Sequence, residues 1–214
     1  MAMVEGTNFG MVTAAPVDDP AGAGTAAAVD ARTRGFKLVA GSDGSITSMG
    51  WWCDTASEEV NFQLGIYSHD AVNDRPEDRL AYSGDVAKGT TAGWKTASVS
   101  YNFTSGTTYW LMLQCDDPAT TTYTDTAGIA GARTVYYTSQ TALQANYDAP
   151  SGTGTTNEYA IYALYETEAG GTGMQINIGD AWKSIDAMQI NIGDAWKAVA
   201  GAQINIGDAW KTVF

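Results

Sequence analysis

Basic side chains are scarce in this chain of 214 residues: 11 Lys and Arg stand against 24 Asp and Glu, a formal net charge of −13. A nucleic-acid binder needs a basic footprint to displace counterions from phosphate, and an anionic membrane surface asks for the same. Neither is an expected partner. Cysteine and histidine are scarcer still, with two of the first and one of the second. A structural zinc site, which takes four such ligands, is therefore not expected. No apolar run approaches the ~18 residues needed to span a bilayer, so no membrane insertion is expected. The opening MAMVEGTNFG has neither a basic leader nor an apolar h-region, and a classical secretory signal is not expected. On that reading the protein acts where it is made, or leaves by lysis or within a particle. Long helix-forming runs are also missing, and with them the amphipathic crossovers of a βαβ architecture.

What is present suits strands. Gly 24 with abundant Thr and Ala, 44% apolar content and 11% aromatic content describe an all-β protein with a real core. Residues 1–34 read as an N-terminal arm rich in Ala, Gly and Pro, with a short strand at Phe9–Val12. From Gly35 to residue 169 strand signals recur: FKLVA, SITSMGWWC, VNFQLGIY, RLAYSGDV, GWKTASVSYNF, TYWLMLQC, RTVYYTS and EYAIYALYE. Alternation places Val60, Phe62, Leu64 and Ile66 on one face, and divides Tyr109, Leu111 and Leu113 from Trp110, Met112 and Gln114. Eight or so short strands with turn residues between them predict a β-sandwich of the jelly-roll kind, with an immunoglobulin-type sandwich as the alternative.

Residues 174–214 are three near-copies of one 14-residue unit: MQINIGDAWKSIDA, MQINIGDAWKAVAG and AQINIGDAWKTVF. Each copy reads as strand, tight turn, strand. The unit is compatible with one hairpin per period or with one coil of a β-solenoid per period. Three copies are expected to build a small sheet with one apolar face, and that face needs a cover. The tail holds four Asp and three Lys, so nearly all the acidic excess lies upstream and like tails can approach. Ile176, Ile178, Trp182, Ile190, Ile192, Trp196, Ile204, Ile206 and Trp210 are the candidate assembly residues. A homo-oligomer, with a trimer as its candidate stoichiometry, is expected.

Four further groups carry candidate chemistry. The loop SHDAVNDRPEDRL offers Asp70, Asn73 and Asp74 as oxygen ligands, and Asp116 and Asp117 follow a strand end that would join them if the loops converge. Such a cluster suits Ca2+. Arg75 and Arg79 compete for the same carboxylates, which gives the alternative of a loop held by ion pairs. Trp52, Trp110, Tyr123 and Tyr137 are candidates for stacking on glycan, since one member of a WW or YY pair should point outward; the other account is core packing. Cys53 and Cys115 each end an apolar run. If their strands pair, a disulfide would close a loop of about 60 residues and stabilise by ~4 kcal/mol; otherwise they are small buried hydrophobes. His69 has no serine or cysteine motif to partner it, and no pair among the acids stands out as glycosidase carboxylates. No catalytic residue and no obligatory cofactor is expected.

The stretch GWWCD…NFQLGIYSHD…AGWKTASVSYNFTSGTTYWLMLQ resembles jelly-roll domains of virion-associated and extracellular proteins, at Gly65–Tyr67, Gly93–Trp94 and Ser105–Leu111. The INIGDAWK units are similar to the short V.GAWK-type repeats at the C-termini of bacteriophage tail and other virion proteins, here Ile178–Lys183, Ile192–Lys197 and Ile206–Lys211. The two resemblances imply a surface-displayed, oligomeric component of a phage-like particle or fibre. They imply other virion or fibre proteins as partners, and a location at the virion surface or outside the cell after release. The expectation is a non-enzymatic capsid decoration or tail-fibre component. A carbohydrate-binding adhesion module reading cell-surface glycan, and a subunit of a self-assembling extracellular fibre, are the alternatives.

Overall fold

The computed structural model describes residues 3–20, 25–54, 60–115, 120–125, 133–154 and 158–167, and six four-residue strands between 175 and 212. Two compact units divide the chain, Met1–Glu166 and Thr167–Phe214. The first unit holds β1 (Gly10–Val12), β2 (Thr25–Ala28), β3 (Arg32–Val39), β4 (Gly44–Cys53), β5 (Asn61–Asp70), β6 (Arg75–Tyr82), β7 (Val86–Ala87), β8 (Gly93–Phe103), β9 (Thr108–Cys115), β10 (Thr121–Asp125), β11 (Thr134–Thr138), β12 (Gly152–Gly154), β13 (Glu158–Tyr159) and β14 (Ile161–Thr167). The second holds β15 (Gln175–Ile178), β16 (Ala181–Ser184), β17 (Gln189–Ile192), β18 (Ala195–Ala198), β19 (Gln203–Ile206) and β20 (Ala209–Thr212). The protein is all-β.

One sheet has the order β1-β14-β4-β8 and a second the order β12-β11-β3-β9-β5-β6, with β7 also on β5. A small third sheet runs β13-β10-β2. The pairs β3·β9, β4·β8 and β5·β9 are antiparallel, and β1 and β14 run parallel. The first two sheets bury a common cluster. β4 supplies Ile46, Met49 and Trp51, β5 supplies Phe62, Leu64 and Ile66, β9 supplies Tyr109, Leu111 and Leu113, and β14 supplies Ile161 and Ala163. In β5 and β9 these are the alternate residues that period-two patterning marks as one face, while in β4 the alternation breaks between Ile46 and Met49, where the register against β8 shifts.

The opposite face of the second sheet is buried as well. Tyr67, Trp110, Met112, Val135 and Tyr137 form a second cluster, closed by Leu143 and Tyr147 from the segment after β11. That segment is tied down by polar groups. Leu143 N donates to Gln63 Oε1 at 2.7 Å, Tyr67 Oη to Gln144 O at 2.6 Å, and Tyr147 Oη to Thr33 Oγ1 at 3.0 Å. Burial of one indole or phenol of 150–250 Å² is worth roughly 4–6 kcal/mol at about 25 cal/mol per Å². A strand with Trp110 on one face and Leu111 on the other thus holds cores on both sides.

The N-terminal residues join this core. Phe9 and Val29 lie in the main cluster, Phe9 against Phe36 with ring centroids 5.9 Å apart, and Trp94 Nε1 donates to Asp18 O at 2.9 Å.

Two glycines measure how tightly the first sheet is packed. A Cβ on Gly50 would stand 2.4 Å from the Tyr162 ring, whereas one on Gly41 would meet nothing within 4 Å. Gly50→Ala is therefore expected to destabilise the fold by ~1–3 kcal/mol in urea unfolding, and Gly41→Ala to stay within ~0.5 kcal/mol of wild type. Equal effects would contradict this packing.

Candidate functional site

The acidic loop becomes a folded turn. Asp70 ends β5, and its Oδ1 accepts the backbone N–H of Val72 at 3.0 Å and of Asn73 at 3.1 Å. Its Oδ2 accepts Asn73 Nδ2 at 2.7 Å and Arg75 Nε at 3.1 Å. Asp and Asn favour such turns because the side chain replaces a backbone acceptor. These donors, those of Asn73 foremost, hold the Asp70 carboxyl down at about 2. Asp74 follows with φ 50°, in the left-handed region. That turn of the backbone sends its carboxylate to Lys37 on β3 at 2.7 Å, and to Arg133 just before β11. Partial burial pushes Asp74 up, but the hydrogen bonds from Lys37 and Arg133 outweigh it and hold the group below its ordinary range.

The single histidine sits beside this network. Trp110 Nε1 donates to His69 Nδ1 at 3.2 Å, and His69 Nε2 lies 3.9 Å from Asp74 Oδ1. An indole N–H can only donate, so Nδ1 is the acceptor. The arrangement ties β5, β9, β3 and the start of β11 together at one end of the second sheet. Asp70 and Asp74, two of the Ca2+ candidates, are engaged by basic side chains of their own chain, and Asn73 by Asp70. Among the described residues, no group of three or more His, Cys, Asp and Glu could hold a metal ion. Asp116 and Asp117 lie outside the described residues.

The aromatic candidates are placed differently from expectation. Trp110 is fully buried, and Trp52 and Tyr137 are 8% and 5% exposed. None of these three can stack on a sugar. Tyr123 is half-buried, and burial with the neighbouring Asp54 raises its phenol. Alternation does turn Trp110 away from the main core and into the second cluster, whereas Trp52 lies in the main cluster itself. Trp52 packs edge-on against Trp94, whose centroid is 5.4 Å away, and Trp94 against Tyr162 at 5.3 Å. Tyr137 stacks on Tyr147 at 4.2 Å.

The exposed rings are ones that strand patterning passed over. Tyr82, 46% exposed, lies over the Arg79 guanidinium at 3.8 Å. Tyr101 and Leu80 line an open recess of about 350 Å³ with Ser68, His69, Thr108 and Tyr109. Leu80 and Tyr82 alternate with Arg79 and Ala81 along β6, the sequence signal that could have marked them.

Cys53 and Cys115 are both buried in the main core cluster. The condition set for a disulfide between them, that their strands pair, is not met: β4 pairs with β8, while β9 pairs with β3 and β5.

In the second unit the two strands of each 14-residue period pair antiparallel. Asn177 is opposite Trp182, Ile176 opposite Lys183 and Ile178 opposite Ala181, with the same register at Asn191, Ile190 and Ile192 and at Asn205, Ile204 and Ile206. The described strands make three separate two-stranded sheets, not the single small sheet expected from sequence. The opposed positions of Trp196 and Trp210 are Asn191 and Asn205.

Compared with known proteins, this chain matches no family model, no curated protein and no solved structure.

The Asp70 carboxyl has a folded-state pKa of about 2, below the ordinary value of about 3.9. Its contribution to stability is therefore present above about pH 4 and lost as pH falls through about 2. Asp70→Asn is expected to flatten the dependence of stability on pH between those limits, as read from urea midpoints. Equal slopes in variant and wild type would contradict the turn.

Proposed function

We propose that this chain is a non-enzymatic structural and display protein of a virion surface, a capsid decoration or tail-fibre component, in which the sandwich is displayed and the repeats join copies. One observation carries the assembly part. Three hairpins of one sequence and one register stand as separate two-stranded sheets. A lone hairpin is marginally stable in water and needs further strands or a packing surface. Repeating the unit three times within a nearly neutral segment suits association with equivalent units of other copies.

The jelly-roll assignment rests on strand order. In a jelly roll a long antiparallel hairpin folds over, and its strand pairs 1·8, 2·7, 3·6 and 4·5 alternate between two sheets. Taking β1, β3, β4, β5, β6, β8, β9 and β14 as strands one to eight, the pairs β1·β14 and β4·β8 share one sheet and β3·β9 and β5·β6 the other. The parallel β1·β14 pair departs from the pattern. An immunoglobulin-type order would keep the last two strands in one sheet, whereas β9 and β14 are in different sheets.

The reading places the protein at the virion surface, or outside the cell after release. A subunit of a self-assembling extracellular fibre shares the same assembly logic. A carbohydrate-binding adhesion module is the reading that the Tyr82–Arg79 pair and the recess beside Tyr101 favour, in place of Trp52, Trp110 and Tyr137. Among the described residues no helix is long and apolar enough to cross a membrane.

Light scattering of the full chain beside a version ending at Gly173 tests the proposal. The full chain is expected at a multiple of 22.5 kDa, a trimer first of all, and the shortened one at fewer copies with its circular dichroism retained. The same number of copies in both would remove the repeats as an assembly device.

A further inference from the structure

The sandwich has four sheet edges, and three of them are closed or short. β1 and β12 are three residues each. β6 is capped by the segment after β11: Arg79 N donates to Ala145 O at 2.8 Å, Tyr147 N donates to Glu77 O at 3.1 Å, and Asp78 bridges Asn146. The fourth edge is β8, at 11 residues the longest strand of the chain. It pairs with β4 on one side, and no described strand pairs with its other side. An edge of this length presents a row of unpaired N–H and C=O groups, a template for another strand.

Charge says which strand fits. No acid occurs between Asp85 and Asp116, although the chain carries 24. The sheet β1-β14-β4-β8 holds one lysine, Lys95, and one acid, Glu166. Thr96, Ser98, Ser100 and Asn102 are the exposed residues of β8, neutral and small, while Ala97 and Val99 between them are buried. Lys95, the residue type that usually guards an edge, turns its Nζ toward Thr91 Oγ1 at 3.4 Å. Copies with a net charge of −13 repel one another, so the contact that costs least joins stretches without acids of their own; Asp18, whose backbone O accepts from Trp94, lies at the Gly93 end of β8.

We propose that β8 is a two-fold docking edge for a second copy of this chain, the two strands pairing antiparallel so that the neutral sheet continues across the pair. Antiparallel self-pairing gives a closed, isologous contact. The irregularity of β8 between Ser98 and Tyr101, where the register against β4 shifts, limits the paired run to the Gly93–Ser98 side. None of the repeat residues takes part, so this contact stands or falls apart from the tail.

The test uses the full chain. Thr96→Asp with Ser98→Asp places carboxylates within the paired run on both strands without touching a buried group. Sedimentation is expected to give half the wild-type number of copies, with near-ultraviolet circular dichroism unchanged. In a second set, single cysteines at Lys95, Thr96 and Ser98 are oxidised mildly beside a control at Val72, which is 93% exposed. Covalent pairs should peak at one of the three β8 positions, as a two-fold axis requires. An unaltered copy number in the folded aspartate variant, or cross-linking on β8 no greater than at Val72, overturns the proposal. A copy number that responds only to added neutral polysaccharide overturns it too, in favour of a sugar on this face.

Discussion

The fold depends on β9 being buried on both faces. Its sequence TYWLMLQC gives Tyr109, Leu111 and Leu113 to the core between the sheets and Trp110 and Met112 to the second cluster. A slip of one residue would exchange these sets and drive Trp110 into the space of a leucine, so register is specified from two sides. The same constraint explains the chain's long detours. An indole and a row of phenols on the outward face must be covered, and residues 139–151 supply that cover through Leu143 and Tyr147. Gly35 belongs to the same demand: a Cβ there would lie 2.1 Å from the Met112 sulfur.

Polar chemistry follows from that cover. Trp110 brings an N–H into the second cluster, and His69 accepts it; Asp74 then crosses the sheet to Lys37 and Arg133. These charges fasten one sheet, while the sheet β1-β14-β4-β8 is left almost without charge.

Much of the fold was legible because β5 and β9 of the second sheet obey period two. Val60, Phe62, Leu64 and Ile66 face the core as their alternation indicates, and the split within TYWLMLQC holds residue by residue. What failed was the step from outward to exposed. Alternation gives the direction of Trp110 and Tyr137, but it carries nothing on a distant segment such as TSQTALQANYDAPS, whose anchors Leu143 and Tyr147 have no strand period, and it missed that Trp52 joins Trp51 in the main core. The two cysteine-bearing strand ends look alike in sequence, yet β4 and β9 belong to different sheets. Asp70 with Asn73 and Arg75 was readable either as ligands or as an ion-paired turn. Only the left-handed backbone at Asp74, and the long-range partners Lys37 and Arg133, distinguish the two. In the repeats, the strand–turn–strand pattern was plain, while hairpin and coil share it.

Native-state hydrogen exchange of the β9 amides tests the two-sided core most directly. If both faces are sealed as described, the amides of Trp110, Leu111, Met112 and Leu113 exchange only through global unfolding, with a free energy equal to that from urea. Exchange of these amides in a smaller opening, together with residues 139–151, would show that the outer cluster is a loose cover, and the account built on β9 would be wrong.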